Sequence, residues 1–233
     1  MARQIGFSTG AFHRFLSAKE SLFFLRQMNS KIVELCFVKP ETIQKGWLDE
    51  ITASDLESFE YIAVHAPVFP YGSKGTDAIF EKITKLNELR KVNVVVFHPD
   101  TVENFEIFRN VPFPIAFENM DCRKTSFKKL EEMKSMVRIH DAAKIVLDIN
   151  HIYTNDPTMK MASYFYDQLG HKIAHIHISG YDGHHDPMYQ TKQNFLIHAI
   201  RDFSHPIIIE SVISPEEAKP EIDYITKVLS QNN

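Results

Sequence analysis

Eight short runs of β-branched and apolar residues recur along this chain about every 30 residues, each followed by a longer stretch with helical spacing. The runs occupy 5–10, 32–38, 61–67, 92–100, 114–120, 144–151, 173–180 and 206–211. Helical spacing marks 18–29, 76–91, 126–140, 159–169, 189–203 and 215–230, with weaker signals near 49–58 and 101–110. Ser214 before Pro215 and Glu217, and Thr154-Asn155-Asp156-Pro157, are helix-start signals. Repeated strand–helix units predict parallel strands, and unbroken apolar runs such as 92–97 fit strands covered on both faces. An open doubly wound sheet is the alternative. Eight units without a Gly-rich phosphate turn favour closure into a single (β/α)8 TIM barrel spanning 1–233, compact and with short loops.

Composition narrows the function classes. A net charge of -4 and a pI near 6.3 give no overall basic signature for nucleic acid. Cys36 and Cys122 stand far apart without metal-type spacing, which favours a reducing, cytoplasmic setting over a disulfide framework. The N-terminal segment has no long apolar core of a signal peptide, and no run reaches the roughly 18 apolar residues of a membrane span.

The chemistry lies at the ends of the strand runs. His65 ends the third, His98 the fourth, Glu118 the fifth and Asp148 the sixth; His177 and Glu210 stand near the ends of the seventh and eighth. The residues two positions back are Ala63, Val96, Ala116, Val146, His175 and Ile208, so alternation points all six groups into the barrel at its C-terminal rim. A lone strand histidine or glutamate is more commonly a satisfied polar group. Six such groups at one height would be a costly buried charge cluster without cations, and divalent metal ions resolve it.

The richest histidine stretch, 173–187, holds His175, His177, His184 and His185. His177 is the expected ligand and His175, one layer deeper, a support or a packed core residue. His151 lies three residues beyond Asp148, where it can serve a further metal position or bind substrate. His184 and His185 compete as the loop ligand beside it. Two further substrate contacts are expected. Lys192 on a rim loop can hold phosphate and Tyr71 can offer a stacking surface, although a solvated lysine and a packed tyrosine are the ordinary readings.

The series His65-Ala66-Pro67, His98-Pro99, Glu118-Asn119, Asp148-x-x-His151, His177-Ile178-Ser179, an Asp/His loop and Glu210-Ser211 resembles the xylose isomerase-like superfamily. Within it, the series is most similar to the endonuclease IV group, AP endonuclease family 2. That resemblance implies a multinuclear zinc site for phosphodiester cleavage. His65 and His98 would share one metal, and Asp148 and His177 would hold a second. Glu118 and Glu210 would bridge, and His151 with His185 would hold a third. Roughly one to three divalent ions are expected, Zn2+ first and Mn2+ as the alternative. The sugar isomerases and epimerases of the superfamily imply a leaner set, Glu118, Asp148, His177 and Glu210 around one metal, with the two glutamates as acid and base. His65 and His98 tilt the balance toward hydrolysis. The chain departs from the endonuclease IV pattern in its length, its short loops and the Met188–Lys192 segment, where a Gly-rich turn is usual. With its negative charge, these departures favour a small phosphorylated or polyhydroxylated substrate over duplex DNA. A metal-bound scaffold without turnover is the third reading. Oligomeric state is left open.

Overall fold

The computed structural model describes residues 4–44, 46 and 48–231. Eight parallel strands, each paired with the next and the last with the first, form a closed barrel. They are β1 (Ile5–Ser8), β2 (Ile32–Cys36), β3 (Tyr61–His65), β4 (Val94–Phe97), β5 (Ile115–Glu118), β6 (Lys144–Asp148), β7 (Ile173–Ile178) and β8 (Ile207–Ile209). The expected (β/α)8 TIM barrel is therefore the observed fold. Where β1 runs closest to β2 the chain uses Gly6, at which any side chain would collide with the Ile32 carbonyl.

The helices are α1 (Ala18–Gln27), α2 (Pro40–Gln44), α3 (Ala53–Leu56), α4 (Thr76–Leu89), α5 (Leu130–Ile139), α6 (Ile149–Asn155), α7 (Lys160–Leu169), α8 (Met188–Thr191), α9 (Asn194–His198) and α10 (Ala218–Ser230). Alternation along the strands separates two apolar layers. Val33, Leu35, Val64, Val95, Phe97, Phe117, Leu147 and Ile176 pack with helix residues such as Leu22, Leu25, Ile83, Met133, Phe165 and Ile225 in the large core. Ala63, Val94, Val96, Ala116 and Val146 form a separate cluster. Opposite parity on the same strands assigns the first set to the outer face and the second to the barrel interior.

Several boundaries differ from the sequence expectation, for local reasons. The sixth run does not continue to 151: β6 ends at Asp148, whose carboxylate accepts the His151 amide at 2.8 Å and caps α6. The stretch 189–203 is not one helix, because Lys192 adopts a left-handed conformation (φ 57°) and divides α8 from α9. The signal near 49–58 shrinks to α3, and that near 101–110 to single-turn 3-10 segments at Pro99–Thr101 and Phe105–Phe108. Ser214 and Glu217 do form a capping box, but it opens a 3-10 turn that leads into α10. Among the described residues, no helix is long and apolar enough to cross a membrane.

Candidate metal centre

The six strand-end groups meet at the C-terminal end of the barrel. His65, Glu118 and Asp148 are the last residues of β3, β5 and β6; His177 is next to last in β7; His98 and Glu210 follow β4 and β8 directly. The interior layer is apolar at Ala63, Val96, Ala116 and Val146, so His65, His98, Glu118 and Asp148 stand on a packed base, whereas His177 stands on His175. Asn119 ties β5 to β6 there: its Oδ1 accepts the Asp148 amide at 2.8 Å and its Nδ2 donates to the Asp148 carbonyl at 3.1 Å.

Glu118 sits between two groups of ligands. On one side, Oε2 lies 3.3 Å from His65 Nε2 and 3.1 Å from His98 Nε2, and the two imidazole nitrogens are 3.2 Å apart. His65 Nδ1–H donates to the Ala66 carbonyl at 3.0 Å, which turns Nε2 toward Glu118 and His98. On the other side, Oε1 lies 3.0 Å from His177 Nδ1, which is 3.3 Å from Glu210 Oε2. Glu118, Asp148, His177 and Glu210 each bring a ligand atom within 4.8 Å of the others. Four tetrahedral ligands about 2.0–2.1 Å from one zinc stand roughly 3.3–3.4 Å apart, close to the spacing in the His65–His98–Glu118 triangle. Asp148 Oδ2 is buried without a hydrogen-bond partner among the described residues. Ligand spacing, mixed nitrogen and oxygen donors and an orphaned carboxylate oxygen together fit divalent cations.

The charges of the metal-free site show the same tension. Burial alone would raise Glu118, but the positive charge of His177 and hydrogen bonds from His177, His65 and His98 hold it well below the usual carboxylate value. Burial, with Glu118 and Glu34 nearby, pushes Glu210 up to about 8 against the pull of His177. Burial raises Asp148 to about 6, with His151 opposing and Glu118 adding to the rise. Burial works against His65, yet its hydrogen bond to Glu118 and the charge of Glu34 raise it to about 9. Burial likewise opposes a charged His177, and Glu210, Glu34 and Glu118 lift it well above its ordinary value.

The remaining wall is built on α6 and the β7–α8 loop. His151 Nδ1–H donates to the Asn119 carbonyl at 2.8 Å, and Nδ1 lies 3.5 Å from Asp148 Oδ2. His185 faces it, ring centres 6.0 Å apart, with Nδ1 2.9 Å from Ser179 Oγ. The loop is pinned by paired amides between Gly180 and Asp186, at 2.8 and 3.0 Å, and by the Val212 amide on the His185 carbonyl at 2.9 Å. Asn150 crosses to Ser179 Oγ and the Gly180 carbonyl at 3.0 and 2.8 Å. His184 is exposed, and its amide donates to Asp186. His185 is thus the loop histidine beside the site, but its ring stands outside the groups with converging ligand atoms.

Two expected substrate contacts are corrected. Tyr71 is wholly buried, with its hydroxyl donating to the Pro67 carbonyl at 2.9 Å and its ring among Phe69, Phe80, Phe97 and Phe108. Lys192 is exposed and holds its ammonium 4.4 Å from the ring centre of Tyr224 on α10. One residue was missed. Glu34, in the middle of β2, is fully buried with Oε2 3.0 Å from His177 Nε2. Its signal in the sequence is a lone charge inside the apolar run 32–38.

Comparison with known proteins agrees with this architecture. Residues 73–228 match the family described as xylose isomerase-like TIM barrel. No curated protein sequence matches the chain. Among solved structures, a D-tagatose 3-epimerase-like protein superimposes with a TM-score of 0.67 at 18% identity, covering 98% of each chain. Endonuclease IV from Thermus thermophilus gives 0.69 at 15% identity, covering 98% of this chain and 99% of its own. D-psicose 3-epimerase from Clostridium cellulolyticum gives 0.67 at 11%, covering 97% and 99%. At these identities the likeness is one of fold.

Proposed function

The chain belongs to the xylose isomerase-like TIM barrel family, and within it we propose a metal-dependent hydrolase of phosphoesters on small or nucleotide-like substrates. The observation that carries this reading is the position of Glu118 between two ligand groups. His65 and His98 converge on one of its oxygens, and His177, beside Glu210, converges on the other. A carboxylate so shared suits two cation positions, and a site for a single ion has less use for the His65–His98 pair.

In this reading His65, His98 and Glu118 hold one ion, and Glu118, Asp148, His177 and Glu210 hold another. His151 and His185 complete a third position, or contact substrate when two ions are bound. Zn2+ suits the mixed imidazole and carboxylate donors, with Mn2+ as the alternative. When bound, such ions supply an acidified water and positive charge at a phosphoryl group. The chain itself orients that chemistry. His98 and Glu210 keep 14% and 15% of their side chains exposed, while Glu118 and His177 beside them are buried. A net charge of -4 favours a small substrate over a duplex needing many phosphate contacts. The test is hydrolysis of aryl and nucleotide phosphoesters by Zn2+- or Mn2+-loaded protein. Turnover that survives loss of His65 and His98 would refute the assignment.

One observation favours a second reading, isomerisation or epimerisation of a ketose. Glu118, Asp148, His177 and Glu210 bring four ligand atoms within 4.8 Å of one another, a set complete for one ion, and its two glutamates suit a base and an acid. In that reaction Glu118 would take a proton from the carbon beside the carbonyl and Glu210 would return one. Incubation in D2O distinguishes it, because substrate recovered without deuterium across a broad sugar panel rules the reading out.

A further inference from the structure

Directly beneath the centre, the barrel axis carries polar groups where barrels of this kind pack branched apolar side chains. Glu34 of β2 and His175 and His177 of β7 are completely buried there, and Tyr61 of β3 adjoins them. Tyr61 Oη lies 2.9 Å from His175 Nδ1. His175 Nε2 lies 3.4 Å and His177 Nε2 3.0 Å from the same oxygen, Glu34 Oε2, and the two ring nitrogens are 2.9 Å apart.

An ionised carboxylate only accepts hydrogen bonds, so at least one of the two imidazole nitrogens facing Glu34 Oε2 carries a hydrogen, and His177 Nε2 is the nearer of them. A neutral imidazole has one N–H. Both His177 nitrogens face carboxylates, Nδ1 at 3.0 Å from Glu118 Oε1 and Nε2 at 3.0 Å from Glu34 Oε2. A cation beside Glu118 and Glu210 would take the place of the Nδ1 hydrogen and leave the Nε2 hydrogen on Glu34. The other tautomer would set a lone pair against Glu34 and an N–H against the cation position. Stability alone does not account for a glutamate here. A buried ion pair is commonly no better than apolar residues of the same volume, and Glu34 Oε1 is left without a partner among the described residues.

We infer that Glu34 is a positioning residue of the metal centre, fixing His177 in the tautomer that ligates through Nδ1, with His175 and Tyr61 bracing the carboxylate from below. The inference rests on the metal reading above, and carboxylates that orient ligating histidines in this way commonly govern affinity.

The test uses Zn2+ alone and the full chain, with histidine 15N NMR to read tautomers and a competing chelator to read affinity. Zn2+-loaded wild-type protein is expected to show His177 protonated at Nε2 and metal-bound at Nδ1. Glu34→Gln is expected to weaken the position that His177 shares by roughly 10–100-fold, because the amide can donate as well as accept. The position of His65 and His98 should keep its affinity. A purely structural Glu34 would change thermal stability and leave the tautomer and the affinity alone, which overturns the inference. So does His177 bound through Nε2 in the wild-type protein, a result that needs no variant to fold. Wild-type protein that takes up no Zn2+ overturns the metal reading itself, and this inference with it.

Discussion

The two walls of the site are held in different ways. His65, His98 and Glu118 stand at strand ends over an apolar layer, and their ligand atoms already lie 3.1–3.3 Å apart. His151 and His185 stand on the first turn of α6 and on a loop, with ring centres 6.0 Å apart. Strand ends in a closed barrel leave the backbone no freedom, so ligand geometry there is fixed before any ion arrives. A loop must finish its geometry on binding. In the proposed reading the strand wall would decide whether the site is multinuclear, and the loop wall only how tightly a last ion or a substrate is held.

The sharpest break in this comparison is Glu118→Gln. It removes the charge shared by both ligand groups, and phosphoesterase turnover should fall at least about 1,000-fold with loss of bound metal. His98→Ala should cost one ion and roughly 100-fold in hydrolysis, leaving the Glu118–Asp148–His177–Glu210 group able to hold its own ion. An epimerase would keep most of its turnover in that variant, so the same protein separates the two readings. On the loop wall, His185→Ala should weaken the last ion about tenfold, as measured by chelator competition, while His184→Ala changes nothing.

Proton balance sharpens the comparison further. His65 is raised from 6.5 to about 9 in the metal-free site. A raised imidazole stabilises the metal-free fold fully below its unfolded value of 6.5, and that contribution is lost as pH climbs through about 9. Metal must displace the proton, so affinity at the strand wall should rise with pH over the same window. Calorimetry in buffers of different ionisation enthalpy should find proton release on Zn2+ binding at pH 7; none would contradict the charged state assigned to His65. The smallest effect is expected at Tyr71→Phe. Loss of its hydroxyl bond to Pro67 should cost about 1 kcal/mol in urea unfolding and leave turnover unchanged.

The strand wall was also the legible part. On a strand, parity assigns the face and position assigns the height, so His65, His98, Glu118, Asp148, His177 and Glu210 could be gathered from a single chain. Glu34 obeys the same parity but lies at mid-strand, below the rim where a site is sought, and it was passed over. Off the strands there is no parity to read. Nothing local shows that Tyr71 folds under Phe80 and Phe97, or that Lys192 turns its ammonium onto Tyr224. The run 144–151 carries the strand expectation past Asp148, with His151 at its turn into a loop. The reversal into α6 depends on one side-chain bond, from the His151 amide to Asp148. The preference for His185 over His184 drew on motif likeness, and the structure sets His185 beside His151 while leaving His184 exposed.

The central claim is that Glu118 serves two cation positions at once. Anomalous scattering from crystals grown with Zn2+ tests it most directly. The account predicts at least two ions per chain, one touching His65 and His98 and another touching Asp148 and His177, with Glu118 reaching both. A single ion held by Glu118, Asp148, His177 and Glu210, with His65 and His98 bare, would contradict it.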